Sequence, residues 1–216
     1  MSTAPLLVLC SASPRRRDLL ASVGLSFQVE AAHLDESRRP GEPLAVLPER
    51  LARDKAQAAL TAFRVRHGGG DAAGIGLGGG QAVALAADTV VTLDGEELGK
   101  PESRAHAAAL LRRLSGREHL VTTGVCAVSP EGRVGSCSVH TKVCFRALDE
   151  EQIAWLASSG DGDDKAGGYA VQGLAGAFIE RLDGSFTNVI GLPLAETLDL
   201  LAAAGLPLPW RARSTR

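Results

Sequence analysis

Three consecutive arginines, Arg15–Arg17, stand where a helix should begin, shortly after Ser11 and Ser13. The start of a helix carries free N–H groups and a partial positive charge, so each cation there costs about 0.3–1 kcal/mol where it is unscreened. A bound anion reverses that cost, because the amides, the two serine hydroxyls and the guanidinium groups would all donate to phosphate oxygens. This turn therefore indicates a phosphate site, with an exposed basic turn as the alternative.

Asp88 interrupts an apolar run, Val83–Val91, that predicts a central strand. Burying an unpaired carboxylate is costly, so Asp88 must be paired, face a cleft or bind a metal ion. A two-residue hairpin turn at positions 94–95 would place Thr89 opposite Lys100. A three-residue turn would instead make Lys100 a diagonal neighbour of Asp88. Either register predicts an ammonium group near this carboxylate, as part of a site or as a purely structural ion pair.

Lys55 falls on the apolar stripe of a predicted helix, between Leu51 and Ala59. Lysine can extend out of such a position into solvent. Beside an acidic centre it would instead bind a phosphate or a carboxylate. Asp35 and Glu36 form an acidic pair in a polar loop, where solvation is the ordinary explanation. From the residues alone, both interpretations of each position stay open.

A later segment, Asp163–Tyr169, combines Lys165 with two glycines that would allow a ligand to approach the backbone closely. Gln172 follows at the end of the apolar run Tyr169–Val171, which predicts a strand. The amide of Gln172 can pair with the edge of a nucleotide base, and the alternative is an ordinary polar strand end. This segment is the candidate for base recognition.

Helices and strands mix along the chain, with at least one hairpin, and predict an α/β fold around a mixed sheet. The predicted strands are residues 6–10, 82–93, 96–100, 119–128, 133–146, 169–172 and 177–181. The predicted helices begin near Pro14, Pro48, Ser103, Asp149 and Pro193. We expect a single domain over residues 1–206 and a loose tail over residues 207–216.

Residues 67–80 contain eight glycines and few side chains that could pack, so they predict a flexible surface loop. No Gly-Lys-Ser/Thr sequence closes this loop and no strand leads into it. It therefore does not match the phosphate-binding loop of P-loop proteins.

Composition excludes several classes of partner. The formal net charge is -2 and no basic face carries interleaved aromatics, so nucleic acid and anionic membranes are not expected to bind. No stretch approaches the roughly 18 apolar residues of a membrane span, and the beginning of the chain lacks the basic region of a signal peptide. Four cysteines without zinc-ligand spacing predict buried free thiols in a reducing compartment. We therefore expect a cytoplasmic location.

Seven short motifs occur in one order along nearly the whole chain, from Leu6 to about Gly205. They are Ser11–Arg16, Asp35–Glu36, Leu51–Ala56, Ala87–Val91, Gly99–Pro101, Asp164–Gly173 and Asn188–Leu194. In this order they closely resemble the Maf (septum-formation) family of nucleoside triphosphate pyrophosphatases. The chain departs from the family pattern at Cys10, where alanine is common, and in the length of its glycine-rich insertion.

The resemblance implies an elongated mixed β-sheet with flanking helices and a central cleft, similar to the inosine triphosphate pyrophosphatases. It also implies a homodimer, a divalent metal (Mg²⁺ or Mn²⁺) and hydrolysis between the α- and β-phosphates of a nucleoside triphosphate. By the same resemblance, Asp88 is the proton acceptor that activates water, and Glu36 is its partner in binding the metal.

The resemblance extends to the residues that would hold the substrate. The phosphate ligands would be Lys55, Lys100, Arg15 and Arg16, and Ser11, Ser13 and Lys165 would complete the binding set. Base selection in the family follows the positions that are Arg15, Thr89 and Gln172 here. This combination resembles the branch that acts on dTTP and UTP, rather than the branch that prefers 7-methyl-GTP, and related modified pyrimidine nucleotides would also fit.

Two functions follow from the resemblance. The first is a pyrophosphatase that removes unwanted nucleotides from the pool. The second is a nucleotide-binding regulator of cell division or septum formation with little catalysis. A pure binder would need the arginines and lysines but not Glu36 and Asp88, so the presence of both carboxylates favours the enzyme.

Overall fold

The computed structural model describes residues 4–31, 34–67 and 81–210. Within these ranges seven strands form one sheet: β1 Leu6–Leu9, β2 Gln28–Val29, β3 Ala82–Leu93, β4 Glu96–Glu97, β5 Glu118–Val128, β6 Val134–Phe145 and β7 Ile179–Asp183. The order is β2-β1-β3-β5-β6-β7, and β4 pairs with β3. β1 is parallel to β2 and β3, whereas β4 is antiparallel to β3 and β7 to β6. The predicted mixed-sheet α/β fold is confirmed.

Six α-helices accompany the sheet in the described ranges: α1 Pro14–Ser22, α2 Leu47–His67, α3 Arg104–Leu114, α4 Glu150–Ser159, α5 Phe186–Ile190 and α6 Leu194–Ala203. Several begin where the sequence predicts. Pro14 opens α1, and Asp149 caps α4 by accepting a 2.8 Å hydrogen bond from the Gln152 amide. None of the described helices is long and apolar enough to cross a membrane.

Two predicted strands are wrong in part or in whole. The strand expected over residues 96–100 ends at Glu97. Residues 169–172 are not a strand but lie between two 3₁₀ turns, Ala166–Gly168 and Leu174–Phe178. Gly167 and Gly168 have φ angles of 76° and 72°, a left-handed backbone that turns the chain immediately before Tyr169.

Two segments were predicted to be loosely structured, the glycine-rich loop over residues 67–80 and the tail over residues 207–216. The predicted glycine-rich loop lies outside the described residues, except for His67, which ends α2. The tail predicted to be loose from residue 207 is instead packed at Leu208, whose side chain is buried. Residues 211–216 lie outside the described part of the chain.

Tertiary contacts divide the described residues into two compact units. The first takes the described parts of residues 1–88, 124–138 and 192–216, and the second takes residues 89–123 and 139–191. In the core of the first unit, the apolar face of α2 packs against small residues of the sheet; the buried set includes Ala52, Ala56, Ala59, Leu60, Ala84, Ala86 and Cys126. Such small side chains let a helix approach a sheet closely.

The core of the second unit is built from larger side chains. Leu110 and Leu111 of α3, Ile153 of α4 and Phe145 of β6 belong to one buried cluster with Tyr169. The phenol oxygen of Tyr169 lies 2.6 Å from Nε2 of His119, and both rings are buried. The run Tyr169–Val171 was predicted to be a strand because it is apolar. Its apolar character instead reflects the packing of Tyr169 into this core.

The cysteines are free thiols in this structure. Cys10 and Cys126 are buried, as predicted, and burial raises the pKa of each thiol to about 12. Cys137 and Cys144 are only half-buried. Both lie on the same strand, β6.

The buried imidazole of His119 gives the protein an acid-sensitive stability. Burial lowers the pKa of His119 from 6.5 to about 4. The unfolded chain takes up this proton at higher pH than the folded protein, so the contribution of His119 to stability is complete above pH 6.5 and is lost as the pH falls towards 4. Between pH 7.5 and 5 the loss should be about 2 kcal/mol.

Urea unfolding of the wild type and of His119→Phe at these two pH values measures the effect. The variant should lose about 2 kcal/mol less on acidification than the wild type. His140→Phe, which replaces an exposed histidine of the same unit, is the control. An equal loss in the wild type and in His119→Phe would contradict the prediction.

Candidate active site

Lys55 joins two carboxylates in the first unit. Its Nζ lies 2.7 Å from Oδ1 of Asp88 and 3.0 Å from Oε2 of Glu36. The side chains of Lys55 and Asp88 are 11% and 12% exposed, whereas that of Glu36 is 55% exposed. The expectation that Asp88 would be paired is met, and the ammonium that meets it comes from α2.

The helical period explains why Lys55 points inward. Leu51 and Ala59 lie one turn to either side of Lys55 on α2, and all three residues are buried. Asp88 belongs to the part of β3 whose neighbours Ala84 and Ala86 pack against the same helix. The apolar face of α2 therefore directs the Lys55 ammonium inward, where it meets the Asp88 carboxylate of β3.

The basic turn lies in the same unit. Ser11 follows β1 and is buried, and its Oγ accepts hydrogen bonds from the guanidinium of Arg16 at 3.0 Å and from the amide of Ser13 at 3.3 Å. Ser13 stands at the N-cap of α1, but its side chain makes no capping hydrogen bond. The hydroxyl of Ser11 thus orders the turn that carries the arginines.

Electrostatics link this turn to the carboxylates. Burial lowers the pKa of Arg16, and the negative charges of Asp88 and Glu36 act in the opposite direction, while Arg15 adds to the lowering. A guanidinium has so high an ordinary pKa that Arg16 stays charged at neutral pH. The first unit therefore gathers seven of the predicted site residues: Ser11, Ser13, Arg15, Arg16, Glu36, Lys55 and Asp88.

The other predicted site residues belong to the second unit. Thr89 is half-buried, and its Oγ1 lies 2.9 Å from Oγ1 of Thr123. Lys165 donates from Nζ to the carbonyl oxygen of Asp161 and to the carboxylate of Asp164, both at 2.6 Å. Lys100 and Gln172 are exposed. The site roles of these four residues stay predictions, as do those of the seven in the first unit.

The hairpin does not place Lys100 opposite Thr89. The turn has the two-residue register, with Leu93 opposite Glu96 and Thr92 opposite Glu97. The amide of Leu98 donates once more to Val91, and antiparallel pairing then ends before it could place Thr89 opposite Lys100. Pairing across this hairpin therefore gives no reason to expect the Lys100 ammonium near Asp88.

Two of the sequence motifs are joined in the second unit. The amide of Gly167 donates to the carbonyl oxygens of both Leu98 and Gly99, at 3.0 Å each. A side chain at Gly167 would also come within 3.3 Å of Val91 and of the Tyr169 ring. Glycine is therefore needed at position 167 for close packing against the segment before Lys100, and not only to leave room for a ligand.

Asn188 is a buried polar residue to which sequence analysis gave no role. Its Nδ2 donates to the carbonyl oxygen of Val121 at 3.1 Å and to Oγ1 of Thr141 at 2.9 Å. Its own carbonyl oxygen accepts from Oγ1 of Thr123 at 3.1 Å. These bonds fasten the short helix α5 to β5 and β6. In the sequence, Asn188 was noticeable only as the first residue of the family-like motif Asn188–Leu194. The neighbouring residues do not indicate which strands its side chain contacts.

The donor set can be compared with what a metal ion needs. Among the described residues, no group of three or more His, Cys, Asp or Glu side chains could hold a metal ion. Glu36 and Asp88 nevertheless converge on one atom, the Lys55 Nζ, which stands between them as a cation. Mg²⁺ is commonly held by one or two carboxylates, with waters and substrate phosphates as its other ligands. The residues present fit such an ion.

Arginines at a helix start, a buried lysine and two convergent carboxylates are groups that can bind a phosphate-bearing anion together with a cation. Comparison with known proteins identifies the family. The chain belongs to the Maf-like protein family, which matches residues 6–204. The family resemblance noted from the motifs is confirmed.

Several individual proteins are similar to this chain. A Myxococcus xanthus protein named dTTP/UTP pyrophosphatase is 47% identical over 207 residues, covering 96% of each chain. A protein of the same name from Anaeromyxobacter dehalogenans is 45% identical and covers 96% of this chain and 98% of its own. A solved nucleoside-triphosphatase (dITP/XTP pyrophosphatase) from Mycobacterium abscessus aligns at 17% identity with a TM-score of 0.35, over 64% of this chain and 72% of its own.

Proposed function

We propose that this protein hydrolyses nucleoside triphosphates, chiefly dTTP and UTP and related modified pyrimidine nucleotides, to the monophosphate and pyrophosphate. The observation that carries the proposal is the pairing of the Lys55 ammonium with both Asp88 and Glu36, in the same unit as the arginine turn. A phosphate-binding protein without catalysis would have no need of two convergent carboxylates there. The names of the relatives supply the substrate class.

In the proposed reaction, a water oxygen forms a bond to the α-phosphorus, and the bond to the oxygen that bridges the α- and β-phosphates breaks. Asp88 accepts the proton of the attacking water, and pyrophosphate leaves with the bridging oxygen. Hydrolysis of a triphosphate concentrates negative charge, so catalysis consists largely of positioning and of neutralising that charge. Arg15, Arg16 and Lys55 supply cations for this in the first unit.

A divalent cation, Mg²⁺ or Mn²⁺, belongs to this proposal. Glu36 and Asp88 would hold it, and when bound it would neutralise phosphate charge and favour ionisation of the attacking water. The partial exposure of Glu36 leaves one side of that carboxylate open to solvent and to substrate.

Recognition of the nucleotide is proposed for the remaining predicted residues. Arg15, Thr89 and Gln172 would select the base, and Ser11, Ser13, Lys100 and Lys165 would contribute to binding. Exposure supports two of these roles, because the side chains of Lys100 and Gln172 are accessible to a ligand. The biological role would be removal of unwanted nucleotides from the cytoplasmic pool by a homodimer, and a native mass of twice the 22.4 kDa chain would support the dimer.

Product analysis tests the proposal. The purified protein is incubated with a panel of nucleoside triphosphates and Mg²⁺ or Mn²⁺, and monophosphate, diphosphate, pyrophosphate and phosphate are resolved. Monophosphate with pyrophosphate, formed fastest from dTTP or UTP, is the expected result. The same products formed fastest from a methylated purine nucleotide would keep the reaction and overturn the base preference. Nucleotide binding without turnover of any substrate would instead favour the regulator of cell division.

A further inference from the structure

The position between the two carboxylates is filled by a charge of the protein itself. One ammonium group contacts Oδ1 of Asp88 and Oε2 of Glu36, the same two side chains that are proposed to hold a divalent cation. Lys55 is 8% exposed as a residue, and its stem lies on the packed face of α2. This ammonium is therefore held in place by packing as well as by charge.

A divalent cation and this ammonium would compete for the same two carboxylates. The Lys55 Nζ lies 2.7 Å from Asp88 and 3.0 Å from Glu36, so a cation held by the same carboxylates would bring a second positive charge close to it. Opposite charges at such distances attract strongly away from bulk water, and like charges repel to the same degree. Entry of the cation thus requires Lys55 to leave.

Among the described residues, Lys55 forms no ion pair with a third carboxylate. The two ion pairs recorded for its ammonium are those with Glu36 and Asp88. Moving a buried ammonium away from both partners without compensation is costly. A triphosphate provides the compensation, because its oxygens carry several negative charges and bind lysine well.

The ligand set of the cation leads to the same conclusion by an independent route. The described residues contain no group of three or more side chains that could hold a metal ion. Two carboxylates leave most of the coordination sphere to water and phosphate oxygens. From the described residues, a cation without a nucleotide would thus gain only Glu36 and Asp88 as ligands, and Lys55 already contacts both.

We propose that Lys55 excludes the divalent cation from Glu36 and Asp88 until the phosphates of a nucleotide draw its ammonium away. This inference rests on the proposed function for the identity of the two partners, a nucleoside triphosphate and a divalent cation. Its consequence is coupling: cation and nucleotide each strengthen the binding of the other, by the same factor. Lys55 acts as a positioning residue before it acts as a phosphate ligand.

The test measures binding of Mn²⁺ alone, by electron paramagnetic resonance of the free ion, without any nucleotide. The wild type should bind Mn²⁺ weakly, and Lys55→Met should bind it about tenfold more tightly or better, because one repelling charge has gone. Lys55→Arg, which restores the charge, should return to weak binding. Arg53→Met is the matched control, since it removes one cation from the same helix at an exposed position paired with Glu49, and its Mn²⁺ affinity should stay within about twofold of the wild type.

A second variant, Lys55→Gln, keeps the proposal testable if Lys55→Met does not fold. Lys55→Gln keeps a hydrogen-bond donor beside Asp88 without a charge, and it should show the same gain in Mn²⁺ affinity. Circular dichroism at each Mn²⁺ concentration identifies any variant that folds only when the ion is added, which is also expected from the proposal. Mn²⁺ binding that is no tighter in either variant than in the wild type, or equally tighter in Arg53→Met, would overturn it.

This readout is separate from catalysis. A wild type that turns over no nucleotide, combined with a gain of Mn²⁺ affinity in the Lys55 variants, would remove the proposed function and leave the exclusion by Lys55 standing. Turnover with the expected products, combined with no gain of Mn²⁺ affinity in the Lys55 variants, would support the proposed function and overturn the exclusion of the cation by Lys55.

Discussion

Asp88→Asn is expected to lower kcat for UTP hydrolysis by about 10²–10⁴-fold, the range over which a lost general base acts. Asparagine has nearly the shape of aspartate, but it cannot accept the proton of the attacking water. The substitution also removes one of the two charges proposed to hold the divalent cation. The result should therefore lie towards the larger end of the range.

Nucleotide binding should survive the same change. Arg15, Arg16 and Lys55 remain in the first unit, and Lys55 loses the carboxylate that holds it at 2.7 Å. Calorimetric titration with a UTP analogue that cannot be cleaved between the α- and β-phosphates should still show binding. A variant that turns over at close to the wild-type rate would refute the role given to Asp88, and a variant that loses binding as well would show that Asp88 shapes the site rather than the chemistry.

Asp54→Asn is the control for this comparison. Asp54 lies on α2 one position before Lys55, its side chain is 35% exposed, and it pairs with Arg50 at 3.0 Å. The pair is half-buried, but Arg50 also pairs with Glu42 at 2.6 Å, so the variant should still fold. Its kcat should remain within about twofold of the wild type, which would show that losing a carboxylate near the site is not enough to stop turnover.

The positions of the charged residues were predictable where a single periodic rule governs them. Lys55 is brought inward by the helical period that also buries Leu51 and Ala59. Asp88 was recognisable because a carboxylate inside a strand that is buried on both faces must have a partner. Neither rule identifies the partner, since helix and strand meet only through tertiary packing.

Lys100 does not reach the position opposite Thr89, and the reason is physical. Counting residues from the hairpin turn assumes that the antiparallel pairing continues, but it ends at Glu97. Pro101 has no amide hydrogen to donate, and the carbonyl groups of Leu98 and Gly99 accept from Gly167 instead. A contact with a segment more than sixty residues later in the chain cannot be read from the hairpin.

Short and irregular elements account for the other errors. Helix α5 spans only five residues, fewer than the two turns that a periodic pattern needs to show itself. Its stability comes from Asn188 and the strands that this side chain contacts. The apolar run before Gln172 was taken for a strand because apolar runs in loops and strands look alike until the core that they enter is known.

Gly124→Ala is expected to destabilise the protein by about 3 kcal/mol or more, through the way α2 begins. Gly124 lies on β5, and a Cβ atom there would overlap backbone atoms of Pro48 and Glu49. Backbone atoms cannot turn aside as the end of a side chain can, so either the helix or the strand must move.

The helix is not free to move, which makes the cost large. The Glu49 carboxylate accepts hydrogen bonds from Ser136 Oγ at 2.6 Å and from Ser138 Oγ at 3.1 Å, and these fasten the first turn of α2 to β6. These bonds also lower the pKa of Glu49, with the Ser136 bond as the largest cause. A shift that makes room for a methyl group would strain or break them.

Urea unfolding followed by circular dichroism measures the loss, and Gly99→Ala is the matched control. Gly99 has ordinary φ and no atom within 4 Å of the position of a new Cβ, so the same methyl group should change stability there by less than about 1 kcal/mol. Equal unfolding midpoints for the two variants would refute the packing argument. Gly124 leaves room for the first turn of α2, and Lys55 lies on the same helix. A Gly124→Ala protein that still folds should therefore hydrolyse UTP more slowly than Gly99→Ala. The absence of a side chain at Gly124 would then be required for the correct position of Lys55.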